Sequence, residues 1–149
     1  MTNNSPAAPR PMDVTVPGHL FAQLPFYDVV DTDDSVVVDL HNRPDLTNLR
    51  GALQGGLVAT LIDVAAGRLA VKYAGDGGGA GTADMSIHFL APIVDGPARA
   101  IATLVRAGKR MIVVGVDVCD VGRNRLAARA TLSFAILASR DPVHSAAAP

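Results

Sequence analysis

The residue types able to do chemistry crowd into one short stretch, Asn48 to Arg68. Gly55-Gly56 opens a proline-free run, Leu57 to about Ala74, that reads as a helix. Six apolar or neutral residues then precede one carboxylate, Asp63. An aspartate in the middle of an apolar helix is costly unless something uses or satisfies it. A glycine pair at a helix start leaves backbone N–H groups free at the positive end of the helix dipole. Developing negative charge is stabilised there. The stretch therefore supplies a candidate oxyanion-binding turn and, about two helical turns later, a candidate general base or nucleophile. The residues one turn from Asp63 are Ala59, Thr60, Ala66 and Gly67, all small. They leave room for a ligand beside the carboxylate, or for close helix–sheet packing.

The elements around this stretch are mostly strands. Residues 1–16 carry Pro6, Pro9 and Pro11 among small polar residues and read as a flexible lead. Pro17 to Leu24 has Leu20, Phe21 and Leu24 at helical spacing. Phe26 to Val30 and Ser35 to His41 form a hairpin about Asp31-Thr32-Asp33-Asp34. A loop, Asn42 to Leu53, leads into the helix, which the glycine-rich segment Gly75 to Gly79 ends. Apolar residues nearly all round the helix predict burial on most sides. Beyond it, alternating runs centred on Met85–Phe89, Ala98–Val105, Ile112–Val118 and Leu126–Ile136 are separated by short turns, which imply antiparallel pairing. The chain is thus an α+β layer of one long helix and about six antiparallel strands. One sheet face can lie under the helix. Val105, Val113, Ala127, Ala135 and Leu137 leave the other only partly polar, so an oligomer is expected. The domain spans 17–138, with a loose tail over 139–149.

Composition narrows the function classes. At 149 residues the chain is one domain with room for a core. Its net charge of −1 argues against a general polyanion binder. All 14 acidic residues are Asp, so any carboxylate chemistry must use an aspartate. Seven of the 13 basic residues fall between Arg99 and Arg129, opposed there only by Asp117 and Asp120. A solvated sheet face or a phosphate-rich ligand would each account for them. Cys119 is the single cysteine, so no intrachain disulfide can form. No secretion signal or membrane-spanning run is evident, and a cytoplasmic protein is expected. His19, His41 and His144 lack partners at metal-ligand spacing, so neither a metal nor another cofactor is indicated. No serine nucleophile elbow or phosphate-binding loop occurs. Nucleic-acid motifs are absent as well.

Asn48-x5-Gln54-Gly55-Gly56-x6-Asp63 resembles the signature of the PaaI-like acyl-CoA thioesterases of the hotdog-fold superfamily. The resemblance continues through Thr82 to Pro92, Gly108-Lys109-Arg110 and the last strand, over about residues 20–138. It implies a curved sheet wrapped round the helix and a homodimer or dimer of dimers. In this picture the Gly55 amide polarises the thioester carbonyl, and Asp63 is base or nucleophile. Thr82 stands near the attacking water and Asn48 helps orient substrate or water. Carboxylate and glycine turn would come from different subunits. Gln54 stands where the family has histidine, and can donate a hydrogen bond but cannot change charge near neutral pH. Gln54, Gly56, His88, Lys109 and Arg110 complete the expected substrate contacts. His88 is included because strand alternation puts it on the face of Thr82, and Lys109 and Arg110 because they could meet coenzyme A phosphates. Two other readings stay open. A hotdog hydratase or dehydratase would need an Asp-x4-His segment, which is missing. A non-catalytic acyl-CoA-binding module is favoured by Gln54 and opposed by the retained Asn48, Gly55, Asp63 and Thr82.

Overall fold

The computed structural model describes residues 8–139. His144 and nearly all of the expected tail lie outside them, as does the start of the expected lead. Seven strands, β1 (Arg10–Pro11), β2 (Phe26–Asp31), β3 (Ser35–Leu40), β4 (Gly79–Phe89), β5 (Ala98–Ala107), β6 (Met111–Asp120) and β7 (Arg125–Leu137), form one sheet. Its order is β1-β2-β3-β5-β6-β7-β4, and every neighbouring pair is antiparallel. The strand beyond the expected six is β1. Arg10 and Pro11 pair with Asp28 and Tyr27, and the Met12 amide donates to Phe26 O at 2.9 Å. The 1–16 segment is therefore in part a piece of the sheet.

The single α-helix among the described residues, α1 (Gly55–Val71), crosses one face of the sheet. Val58, Leu61, Ile62, Ala65, Ala66, Leu69 and Ala70 are buried, a stripe at helical period. Beneath it lie Ala98, Ala100 and Ala102 of β5, all fully buried. Alanines at these inward positions let the helix sit close to the strands, while Val36, Val38, Leu132 and Phe134 fill the flanks. Burial on most sides is corrected: Ala59, Thr60, Asp63, Val64, Gly67 and Arg68 are only half-buried. Their stripe flanks the buried one, so Asp63 is not a core carboxylate. The helix also stops earlier than Gly75. Tyr73 and Ala74 donate to Ala70 O and Val71 O, the tighter 3₁₀ pattern that absorbs terminal carbonyls. No helix among the described residues is long and apolar enough to cross a membrane.

Two polar clusters pin the ends of α1. Arg68 binds Asp28 and, at 2.7 Å, Asp31, while Lys72 binds Asp31, tying the C-terminal end to the β2–β3 hairpin. The Lys72 hydrogen bond, followed by the charge of Arg68, holds the Asp31 carboxyl below the usual carboxylate range. At the N-terminal end the links are backbone bonds. Gln54 N donates to Leu46 O at 3.0 Å and Leu53 N to Ile93 O at 2.8 Å. The segment after Ile93 is held in turn by Asp120, fully buried at the end of β6. Its carboxylate accepts from Val94 N (2.9 Å), Asp95 N (3.2 Å) and Gly96 N (2.8 Å).

Burial by itself raises the Asp120 pKa, but these backbone donors outweigh it and leave the group below the usual range. A pKa lower in the folded chain than in the unfolded one contributes stability above the unfolded value, about 3.9. That contribution disappears as the pH falls through the folded value. Asp120→Asn should therefore cost about 1–3 kcal/mol at pH 7, because an amide cannot accept all these bonds. Thermal unfolding of both proteins should show the gap narrowing once the pH drops below about 4. A gap unchanged down to pH 2 would show that charge is not what the loop requires.

Candidate active site

Gln54 is the N-cap of α1. Its backbone is non-helical, at φ −56° and ψ 131°, and its carbonyl accepts from Leu57 N and Val58 N at 3.0 and 3.1 Å. Its side chain is exposed and makes no capping bond. The amides of Gly55 and Gly56 have no acceptor among the described residues. Neither glycine has positive φ. A Cβ at Gly55 would lie 3.8 Å from the Phe89 ring, an ordinary contact, and one at Gly56 would meet nothing. This chain's own packing therefore does not require glycine at either position. The space above both glycines leaves room for a group from outside the chain to approach the helix start closely.

Asn48 stands beside that turn. Its Oδ1 accepts from Arg50 N at 2.8 Å and Ala52 N at 3.2 Å, and Gly51, at φ +78°, closes the turn. With the oxygen occupied, the Nδ2 group is left as a donor without a partner among the described residues. Asn48 and Gly55 line one cavity of about 340 Å³, together with Val58, Phe89, Leu90 and Pro92. Two unused donors thus border a single cleft.

Asp63 and Thr82 meet elsewhere. Thr82 Oγ1 donates to Asp63 Oδ1 at 2.7 Å. A bulge makes this possible. Thr82 is opposite Phe134 on β7 and Asp84 opposite Ser133, so Ala83 is the extra residue. An extra residue reverses strand parity. Thr82 thereby faces the helix with Met85, Ile87 and Phe89, while Asp84, Ser86 and His88 face away. The expectation that His88 shares the face of Thr82 is corrected: His88 pairs with Arg129 on the outer face, and its alternation does not continue through the bulge. His19 caps a 3₁₀ turn, Leu20–Gln23, by accepting from Phe21 N at 3.1 Å, and His41 packs on Tyr27. Among the described residues no three candidate ligands group round a metal position.

Within one chain the two halves do not converge. Eight residues separate Gly55 from Asp63, roughly 12 Å along the helix axis. They open into different cavities, Asp63 and Thr82 into one of about 410 Å³ that also holds Leu20, Phe21, Leu57 and Met85. That cavity was not legible in the sequence as part of a site. The helical spacing of Leu20, Phe21 and Leu24 was the available signal, but nothing in it points to Asp63.

The basic cluster divides. Arg99 makes a two-bond pair with Asp39 at 2.8 Å, Arg123 holds Asp95, and Arg129 holds Asp117. Arg106, Lys109 and Arg110 make no ion pair among the described residues, and they surround an open groove of about 430 Å³ at the β5–β6 turn. The expected substrate contacts Lys109 and Arg110 are thus exposed and unneutralised. Ala127, expected on the outer face, is fully buried beside a second bulge in β7.

The family description "Thioesterase superfamily" matches residues 50–127, which hold the helix, Asp63 and Thr82. The chain belongs to the thioesterase superfamily. A Saccharolobus solfataricus protein named "Putative esterase SSO2140" is 31% identical over 104 residues, covering 70% of this chain and 73% of that one. The BH2602 protein from Bacillus halodurans, solved with CoA, is 34% identical, with a TM-score of 0.63 over 68% of this chain and 66% of that one. Thioesterase HI1161 from Haemophilus influenzae, at 18% identity, shares the fold with a TM-score of 0.73 over 80% and 82%. The one-helix, seven-stranded antiparallel architecture of this thioesterase-superfamily protein is the hotdog fold. Membership assigns the coarse chemistry, thioester hydrolysis, and leaves the acyl and thiol parts open.

The free space at Gly55 yields a direct test in this thioesterase. Gly55→Ala keeps the amide donor and fits against Phe89, so the melting temperature should hold or rise, given the helix preference for Ala. Thioester hydrolysis should nevertheless fall by roughly 10- to 100-fold, because the added methyl displaces a reacting group by about an ångström. Unchanged turnover would mean that nothing approaches Gly55 closely.

Proposed function

We propose that the protein hydrolyses acyl-coenzyme A thioesters at a site shared between two copies of the chain. One observation carries this reading. The donor pair Asn48–Gly55 and the pair Asp63–Thr82 are each fully formed, yet they open into separate cavities of one chain. A second copy can bring them together through β4. This strand lies at the sheet edge and is 11 residues long. Its exposed apolar residues include Met85 and Phe89, at 40% and 57%. A long apolar edge with a free backbone row invites pairing. Antiparallel pairing of two β4 strands would run the Phe89 end of one copy, with its Gly55 turn, toward the Thr82 end of the other.

At such a site the thioester carbonyl accepts from Gly55 N–H and Asn48 Nδ2, which stabilise the oxyanion as it forms. Thr82 occupies Asp63 Oδ1 and leaves Oδ2 to a water, which supports a general-base role. Asp63 takes the water proton as oxygen attacks the carbonyl carbon. The tetrahedral intermediate then collapses, the C–S bond breaks, and the thiolate leaves with the proton from Asp63. Gln54, beside the donors, can position the thioester through its free side-chain amide. Gly56 offers a further unpaired amide. The CoA in the Bacillus halodurans relative, with the unpaired Arg106, Lys109 and Arg110 here, supports coenzyme A as the thiol.

Asp63→Asn is nearly isosteric and should keep the fold while kcat falls by about 10²–10⁴-fold. Unfolding and turnover measured on one preparation separate loss of chemistry from loss of protein. A folded variant with wild-type turnover would end this mechanism. Light scattering should give at least twice the mass of one chain, and an active monomer would contradict the shared site.

Charge reversal at the β5–β6 turn tests the thiol. Lys109→Glu with Arg110→Glu should raise KM for an acyl-CoA about 10-fold or more, and leave a short pantetheine thioester of the same acyl group nearly unaffected. Equal effects on both would detach the turn from the nucleotide end.

A further inference from the structure

We infer that the cavity beside the Asp63–Thr82 pair is the acyl subsite and that it accepts plain hydrocarbon acyl groups while rejecting those bearing a hydroxyl or a carboxylate. The inference rests on the proposed role of Asp63 in thioester hydrolysis. Two cavities reach Asp63. The larger, about 690 Å³, is bordered by Asp13, His19, Arg68 and Lys72, and Thr82 takes no part in it. The smaller, about 410 Å³, holds both members of the pair, and its other side chains are Leu20, Phe21, Leu24, Leu57, Met85 and the small Ala59 and Thr60. An acyl chain whose carbonyl carbon is attacked beside Asp63 and Thr82 continues into this second space.

The hydroxyl donors of that space are already used. Thr60 Oγ1 donates back to Gly56 O at 2.9 Å, and Thr82 Oγ1 donates to Asp63. No lysine, arginine or histidine borders it. A hydroxyl carried in on the substrate finds no free donor there, and at the far end of the acyl chain it lies against Leu20, Phe21, Leu24 and Met85 and exchanges water for apolar side chains. An apolar pocket disfavours an added hydroxyl by about 10- to 100-fold in kcat/KM. A carboxylate fares worse, since the only charge present is that of Asp63, of the same sign. Met85 and Leu20, at 40% and 62% exposure, form the rim.

The test uses the intact protein and a straight-chain acyl-CoA series from acetyl to dodecanoyl. The best of these is then compared with its ω-hydroxy and ω-carboxy counterparts. The hydroxy form should be poorer in kcat/KM by about 10- to 100-fold, and the carboxy form poorer still. Met85→Gln, which adds an amide at the rim, should narrow the hydroxy penalty several-fold, and Leu20→Asn provides the same readout should Met85→Gln not fold. Equal kcat/KM for the three substrates would overturn the inference and leave the thioesterase reading intact. So would a hydroxy penalty unmoved in a folded rim variant. Absence of turnover with every CoA thioester would overturn the thioesterase reading and the inference with it.

Discussion

The seating of one helix stripe on a bed of alanines is the constraint on which the rest depends. Ala98, Ala100 and Ala102 of β5 carry almost no side chain, so Leu61, Ile62, Ala65 and Leu69 of α1 come down onto the sheet without a gap. Larger residues there would lift the helix, and with it both Gly55 at its start and Asp63 at its middle. Interiors packed this tightly transmit displacement rather than absorb it. The contact that seats the helix therefore also fixes where the reactive groups stand.

Rotation and tilt of the helix are set at its two ends by different physics. At the C-terminal end the fastening is ionic, Arg68 and Lys72 on Asp28 and Asp31, half-exposed and weakened by salt. At the N-terminal end it is a relay of backbone hydrogen bonds through Leu46, Leu53 and Ile93, anchored by the buried Asp120. The directional, water-excluded fastening lies at the end that carries the candidate oxyanion turn. Gly55 and Gly56 can keep unpaired amides because their neighbours supply the rigidity that those groups would otherwise have provided.

Local chemistry wrote the helix, the hairpins and the identity of the candidate residues into the chain. The proline-free run after Gly55-Gly56, the turn residues at Asp31–Asp34 and the alternation in β5, β6 and β7 each follow from short-range rules. They needed no distant partner to be read. Gly55 and Asp63 stood out by their types and placement, whereas Asn48 and Thr82 stood out only through the resemblance to the thioesterase signature. The use of Asn48 Oδ1 within its own turn was less legible, since it depends on Gly51 adopting positive φ.

Other features were decided only when distant segments met. One extra residue at Ala83 turned His88 to the outer face and Thr82 toward Asp63, and a bulge of this kind is defined by the partner strand rather than by the strand itself. Pairing consumed Arg99, Arg123 and Arg129 with Asp39, Asp95 and Asp117, leaving a smaller basic turn than the count of charges suggests. The 3₁₀ turn at Leu20–Gln23 came to border Asp63 from 40 residues away in the chain, roughly, because β2 and β3 fold it back over the helix. The sequence by itself determined which groups can react and which elements carry them, because residue type and period are local properties. Tertiary structure alone decided which of those groups face one another, because facing is fixed by register and packing between parts of the chain that share no local pattern.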